Sequence, residues 1–278
     1  MKPRVCLSVG NTNLNGLYAA IDYALSQAAE FVEIRFDMIY ETADSANYGG
    51  DLSKNTVMAS FIKEIGKIIS YAKEKGIKLI GTNREASFGK QGFPETKDTG
   101  KQAKGALNEK EKPVRIKFLK SLIELGIDLC DIELDILERN VIKDFVSFAH
   151  SKNSRVILSV HDFKRSVALL DTVMYYIDSS YFGADYFKLA DMAVSEGDAA
   201  LVLEKNIKIH SIKTTGENAF PDFIIFGMGE KYEMTRALSV IYGSYLAYCS
   251  SPFGITAQGQ TAPEDFYKTV SFLQQYKC

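Results

Sequence analysis

Tryptophan is absent from this 278-residue chain, histidine occurs three times, and the four cysteines, Cys6, Cys130, Cys249 and Cys278, are widely scattered. With no CxxC pair and no histidine at ligand spacing, a metal-ribbon or disulfide framework is excluded; reduced thiols are expected, three of them as small core hydrophobes. No run approaches the ~18 consecutive apolar residues of a membrane span. Met1-Lys2-Pro3-Arg4 leads directly into a short apolar run with no small-residue cleavage site behind it, so the chain is expected to be cytoplasmic, with no membrane partner. A surplus of one charge is missing too. Lys plus Arg number 33 against 35 Asp plus Glu, a net charge of -2, which provides no basic field for nucleic acid. There is no internal repeat, no low-complexity tract and no GxGxxG, since Gly10-Asn11-Thr12-Asn13 follows the first apolar run. That argues against an open doubly wound sheet with a dinucleotide turn.

What the chain has is a composition 46% hydrophobic and 24% charged, with 15 Tyr and 17 Phe, enough to bury a large core. Length alone leaves one or two domains open. Short apolar runs alternate with segments of helical period from end to end, the signature of βα units around a parallel sheet. Val5–Val9, Phe31–Met38, Ile77–Thr82, Asp128–Leu134, Arg155–Val160, Ala184–Leu189, Phe223–Met228 and Ser244–Cys249 read as strands. Between them lie helical stripes, among them Leu17 to Leu25, Met58 to Ala72 ending at Gly76, Leu119 to Ile123 ending at Gly126, Arg165–Asp178, Val194–Leu203, Glu230–Ile241 and Pro263–Gln275. A polar stretch from about Glu85 to Pro113 reads as a functional loop. About eight βα units point to one (β/α)8 TIM barrel, a single α/β domain over residues 1–278.

Strand residues alternate sides, so Glu33, Arg35 and Asp37 are expected to share the face opposite Val32, Ile34 and Phe36. Helices must cover the apolar face, which turns the charges into the barrel. Asp131, Glu133 and Asp135 alternate similarly, either to satisfy neighbouring cations or to polarise a site. His161 ends a strand at the carboxyl face where barrel enzymes keep their chemistry, whereas His150, at a helix end, and His210, in a loop-like stretch, read as structural. Lys188 lies near the end of the next strand. Desolvation and nearby cations lower an amine pKa and free it to attack a ketone; the competing reading is a lysine paired with Asp185, Asp191 or Glu133. An imidazole beside an iminium can remove the acidified proton and protonate a leaving hydroxyl. Arg84 and Arg236 could reach the same rim to grip a carboxylate, and Thr256-Ala257-Gln258-Gly259-Gln260 suits a loop closing over a small polar ligand.

The order of Glu33-Ile34-Arg35-Phe36-Asp37, Thr82-Asn83-Arg84, Ser159-Val160-His161-Asp162-Phe163, Ala184-Asp185-Tyr186-Phe187-Lys188-Leu189-Ala190, Gly227-Met228-Gly229, Thr235-Arg236, Gly243-Ser244 and Gly259-Gln260 resembles the type I 3-dehydroquinate dehydratases over nearly the whole chain. The resemblance implies a (β/α)8 barrel, usually a homodimer, that dehydrates 3-dehydroquinate without metal or organic cofactor in the shikimate pathway. It implies that Lys188 forms the Schiff base and that His161 is the general acid/base. Glu33, Arg35 and Arg84 would meet the ring hydroxyls, Arg236 and Gln260 the carboxylate and lid, with Thr256 supplying the lid hydroxyl, and Met228 and Tyr248 would line the pocket. The sequence departs from the family at two places. Phe88-Gly89 stands where a glutamate usually orients the histidine, leaving Glu85, Glu133 or a weaker assistance; and the lid lacks its usual proline, which implies greater mobility. Two other readings stay open: an aldolase-like Schiff-base lyase, and a non-catalytic barrel that binds a polyhydroxy acid.

Overall fold

The computed structural model of the chain describes residues 3–39, 56–84, 111–216, 220–254, 256–257 and 259–276. Its strands are β1 (Val5–Val9), β2 (Phe31–Arg35), β3 (Lys78–Thr82), β4 (Leu129–Glu133), β5 (Arg155–Asp162), β6 (Tyr186–Met192), β7 (Asp222–Met228) and β8 (Ala247–Cys249). Each is followed by a helix: α1 (Leu14–Ser26), α2 (Thr56–Glu74), α3 (Glu111–Glu124), α4 (Arg139–Ser151), α5 (Leu169–Tyr181), α6 (Glu196–Thr215), α7 (Met234–Ile241) and α8 (Pro263–Gln274). Local chemistry sets the boundaries. Gly76 stops α2 at φ +73°, the left-handed conformation expected of it. A capping box starts α6: Asp198 N–H donates to the Ser195 hydroxyl at 3.1 Å, and the Asp198 carboxylate takes Ser195 N–H at 2.9 Å.

Strands pair in the order β7-β6-β5-β4-β3-β2-β1-β8, and every ladder is parallel. The outer strands β7 and β8 approach through Tyr245 N–H to Phe223 O at 2.7 Å and Ile225 N–H to the Ser244 hydroxyl at 3.3 Å. The sheet thus nearly closes into a (β/α)8 barrel. Outward side chains such as Val32, Ile34, Leu158 and Ile225 pack against Ile65, Leu119, Phe145 and Ile209 of the helices. Inward ones, Phe31, Ile80, Leu129, Ile157, Tyr186 and Ile224, plug the barrel's amino end. Burying each large apolar side chain contributes about 1.5–3 kcal/mol, so this plug anchors the barrel and leaves only its carboxyl end for chemistry.

Several boundaries differ from the sequence expectation. The second strand ends at Arg35, and Phe36–Met38 is a 3-10 turn. Asp37 turns back to form a bidentate pair with Arg35, at 3.0 and 2.7 Å, and accepts Arg84 N–H at 3.2 Å, so it leaves the shared strand face. Likewise β4 ends at Glu133, and Asp135 lies exposed beyond it. Helix α6 continues well past Leu203 to Thr215 and contains His210, because the buried polar residues Lys205 and Asn206 interrupt its apolar stripe. The last strand is shorter than expected, Ala247–Cys249, and α3 begins at Glu111, inside the stretch read as a loop. Cys6, Cys130 and Cys249 are free and buried, while Cys278 lies outside the described residues.

Candidate active site

Register brings the inward polar residues to one level. Ser8 pairs with Glu33, Thr82 with Asp131, and Ser159 with both Glu133 and Lys188. His161 pairs with Ala190, one inward step nearer the carboxyl end than Lys188 on the adjacent strand.

Lys188 is buried, with its ammonium 3.0 Å from Asp131 Oδ2, 3.4 Å from Glu33 Oε1 and 4.0 Å above the centre of the Tyr248 ring. Carboxylates and a π-face therefore surround the cation. The neighbours named in the sequence reading are engaged elsewhere. Asp185 accepts Val156 N–H at 2.8 Å and faces His150 at 2.9 Å, Asp191 holds Lys205, and Glu133 binds Arg115 at 2.6 Å. Strand parity accounts for the two aspartates: residues three apart face opposite sides, which turns Asp185 and Asp191 away from Lys188.

Each carboxylate is satisfied in turn. Glu33 accepts the Ser8 hydroxyl at 2.5 Å and the Thr82 hydroxyl at 2.9 Å. Asp131 accepts the Ser159 hydroxyl and an Arg84 N–H, both at 2.5 Å, and Arg84 also donates to Ser159 at 2.8 Å. Arg84 lies 3.6 Å from Glu133 as well. Burial opposes ionisation of Asp131, but the Arg84 and Lys188 cations override it and hold the carboxyl below the usual range. Glu33 follows the same pattern, with Lys188 and Arg35 prevailing over burial. For His161, burial together with the Arg84 and Lys188 cations pushes the pKa well below the ordinary value, so the imidazole is neutral near pH 7. Its Nδ1 is buried with no hydrogen-bond partner among the described residues, and its ring stacks on Phe163 with centroids 6.0 Å apart and planes 16° apart.

Across the mouth the wall is apolar. Phe226, Met228 and Tyr248 are buried in the inner cluster, and the Arg236 guanidinium lies 4.4 Å over the Phe226 ring. Burial lowers the Arg236 pKa to about 10. Thr256 donates to Gln260 at 3.1 Å. Gly259 has φ +71°, and a Cβ there would sit 2.4 Å from Gly229 O, so glycine lets this loop lie directly on the turn after β7.

The structure thus gathers Lys188, Glu33, Arg84 and Asp131 into one network, with His161 at its rim and Arg35 joined through Asp37. Arg236, Thr256 and Gln260 occupy the β7, α7 and β8 side. Phe88, Glu85 and Gln258 lie outside the described residues. Glu133 is held by Arg115 and Arg84, not by His161. Sequence reasoning missed Arg115, which also donates to Asn83 O at 2.9 Å, and the hydroxyls of Ser8, Thr82 and Ser159. The signal for Arg115 was its helical spacing from Leu119 and Leu122, which puts it on the inward face of α3.

A near-closed (β/α)8 barrel with a buried lysine and a neutral histidine on adjacent strands at its carboxyl end defines the class of barrel enzymes. A family model described as type I 3-dehydroquinase matches residues 5–277, and the chain belongs to that family of hydro-lyases. It is similar to a 3-dehydroquinate dehydratase of Coxiella burnetii (strain CbuK_Q154), at 24% identity over 274 residues covering 99% of this chain and 94% of that protein. Among solved structures it resembles 3-dehydroquinate dehydratase from Geobacillus kaustophilus HTA426, with TM-score 0.75, 21% identity and coverage of 100% and 93%. It also resembles the type I enzyme from Clostridium difficile with covalent modified comenic acid, with TM-score 0.74, 21% identity and coverage of 99% and 94%.

Proposed function

We propose that this chain dehydrates 3-dehydroquinate to 3-dehydroshikimate, a step of the shikimate pathway, through an imine on Lys188, with residues 1–278 acting as one catalytic barrel. The amine first passes a proton to its surroundings and attacks the ketone carbon. Loss of the carbonyl oxygen as water leaves an iminium that draws electrons from the adjacent carbon. His161, neutral when substrate arrives, takes the proton from that carbon and then delivers it to the departing ring hydroxyl as the carbon–oxygen bond breaks. Water adds to the conjugated iminium and frees both product and lysine. One water is consumed and two leave, a net loss of one.

The arginines divide by environment. Arg236, buried against an aromatic wall, suits the substrate carboxylate, with Gln260 and Thr256 closing over it. Glu33, Arg35 and Arg84 face the ring hydroxyls; Arg84, bound to Asp131 and Ser159, acts chiefly through the charge it gives that network. The reading needs no metal or organic cofactor, and it takes the protein as a cytoplasmic homodimer.

The observation that carries it is the buried Lys188, held between two carboxylates and a tyrosine ring one register step below a neutral histidine. Borohydride added to enzyme and 3-dehydroquinate should fix a ligand-mass adduct on Lys188, while a steady-state assay should show the conjugated enone forming. Turnover without an adduct would remove the imine route; tight binding without turnover would leave a binding protein.

A further inference from the structure

Behind β6, on the side away from Lys188, a second ion pair joins Asp191 to Lys205 of α6, and neither side chain has any solvent exposure. Two charges sealed between a strand and a helix cost several kcal/mol each in lost hydration, and a well-packed apolar pair fills such a gap without that cost. What the pair gains is a grip on one segment. Asp191 Oδ2 accepts Val167 N–H at 2.7 Å and the Ser166 hydroxyl at 3.1 Å, and the Lys205 ammonium donates to the same hydroxyl at 2.9 Å. Met192 N–H adds a bond to Arg165 O at 3.3 Å. All these ties land on residues 165–167, a few positions after His161.

The segment is tied at its start as well. Asp162 accepts the N–H groups of Lys164 and Arg165 at 2.9 and 3.1 Å. Between the two anchors lies Phe163, which packs on the inner apolar cluster and stacks on the His161 imidazole. Because Nδ1 of that imidazole has no hydrogen-bond partner among the described residues, the stacked ring bears most directly on its plane.

We infer that Asp191 and Lys205 are positioning residues for His161: the buried charge pair fixes residues 166 and 167 and, together with the Asp162 turn and through Phe163, sets the plane from which His161 moves the proton. This rests on the assignment of proton transfer to His161. Asp191→Leu with Lys205→Met removes both charges at similar volume and avoids leaving one of them buried alone.

The double variant should keep the KM and the borohydride adduct on Lys188, while kcat falls about 10- to 100-fold, the scale of a misplaced reacting group. With substrate deuterated at the abstracted position, the isotope effect on kcat should rise, a change that lost stability alone does not produce. Unchanged kcat and isotope effect in the folded variant, or a parallel loss of adduct and kcat, overturns the inference. If the double variant does not fold, Ser166→Ala and Phe163→Leu, which leave the ion pair in place, decide: each should lower kcat several-fold with the adduct retained, and wild-type kcat in both overturns it. Failure of the underlying assignment looks different, because His161→Ala would then turn over at the wild-type rate.

Discussion

Strands β2 to β4 turn Glu33, Arg35, Asp131 and Glu133 into the upper barrel, with Arg84 just beyond β3, whereas β7 and β8 turn Phe226, Met228 and Tyr248 into it. The charged side is neutralised pair by pair through Arg84–Asp131, Arg115–Glu133 and Arg35–Asp37, so its groups stay fixed without bulk water. The apolar side removes solvent, which strengthens every electrostatic contact nearby and depresses the pKa of Arg236. Lys188 stands on the boundary, with carboxylates to one side and the Tyr248 ring to the other. Neither sector alone makes a reactive amine: one side supplies sites for its proton, the other the dry surface against which an imine survives hydrolysis long enough to react.

Five changes break or sharpen this contrast, the largest effect given first and the smallest last. Lys188→Ala removes the boundary group, and steady-state turnover should drop by about 10⁴-fold or more, with no borohydride adduct. Asp131→Asn keeps the shape but takes their nearest carboxylate charge from the buried Arg84 and Lys188 cations, so denaturant unfolding should show a loss of about 3–5 kcal/mol. Met228→Leu, equally conservative on the apolar side, should cost less than about 1.5 kcal/mol. Equal losses would erase the distinction between the sectors.

His161→Ala should slow turnover by about 100-fold or more while leaving the adduct in place. Its pH dependence has a definite sign. The folded pKa lies well below the ordinary value of about 6.5, so between the two the unfolded chain binds the extra proton and stability rises with pH. Resistance to unfolding measured across that window should therefore weaken on acidification, and the His161-dependent acid limb of kcat/KM should lie below 6.5. Asp131 adds the same sign at lower pH. Smallest is Tyr248→Phe, which keeps the π-face under Lys188 and should alter kcat by less than about threefold.

The barrel was legible because periods of two and 3.6 alternate along the chain, and those same periods turned Glu33, Arg35 and Lys188 inward. What escaped were contacts made across the sequence. Asp37 is drawn off its strand by Arg35 and Arg84, and Arg115 arrives from a helix of otherwise unremarkable period. The lysine's partners are Glu33 of β2 and Asp131 of β4, whereas the sequence offered Glu133, which Arg115 takes, and the adjacent Asp185 and Asp191, which parity sends outward. Lys205 interrupted a helical stripe, so the pattern broke where a buried charge interacts with the β5–α5 turn.

The seam of the barrel gives the lysine's surroundings an entropic order. β1 and β8 join Val5 to Ala247, Cys6 to Tyr248 and Leu7 to Cys249, closing a loop of nearly the whole chain with three paired positions. A flexible loop of that size costs about 5 kcal/mol to close, against about 3 kcal/mol for each of the neighbouring ladders β4–β5 and β5–β6 that carry Asp131 and Lys188. The strands that carry the carboxylates beside Lys188 are therefore laid down by successive shorter closures, and the ring of Tyr248 comes with the longest one. Weakening the β1–β8 ladder should loosen the aromatic wall of the amine's pocket before its charged wall.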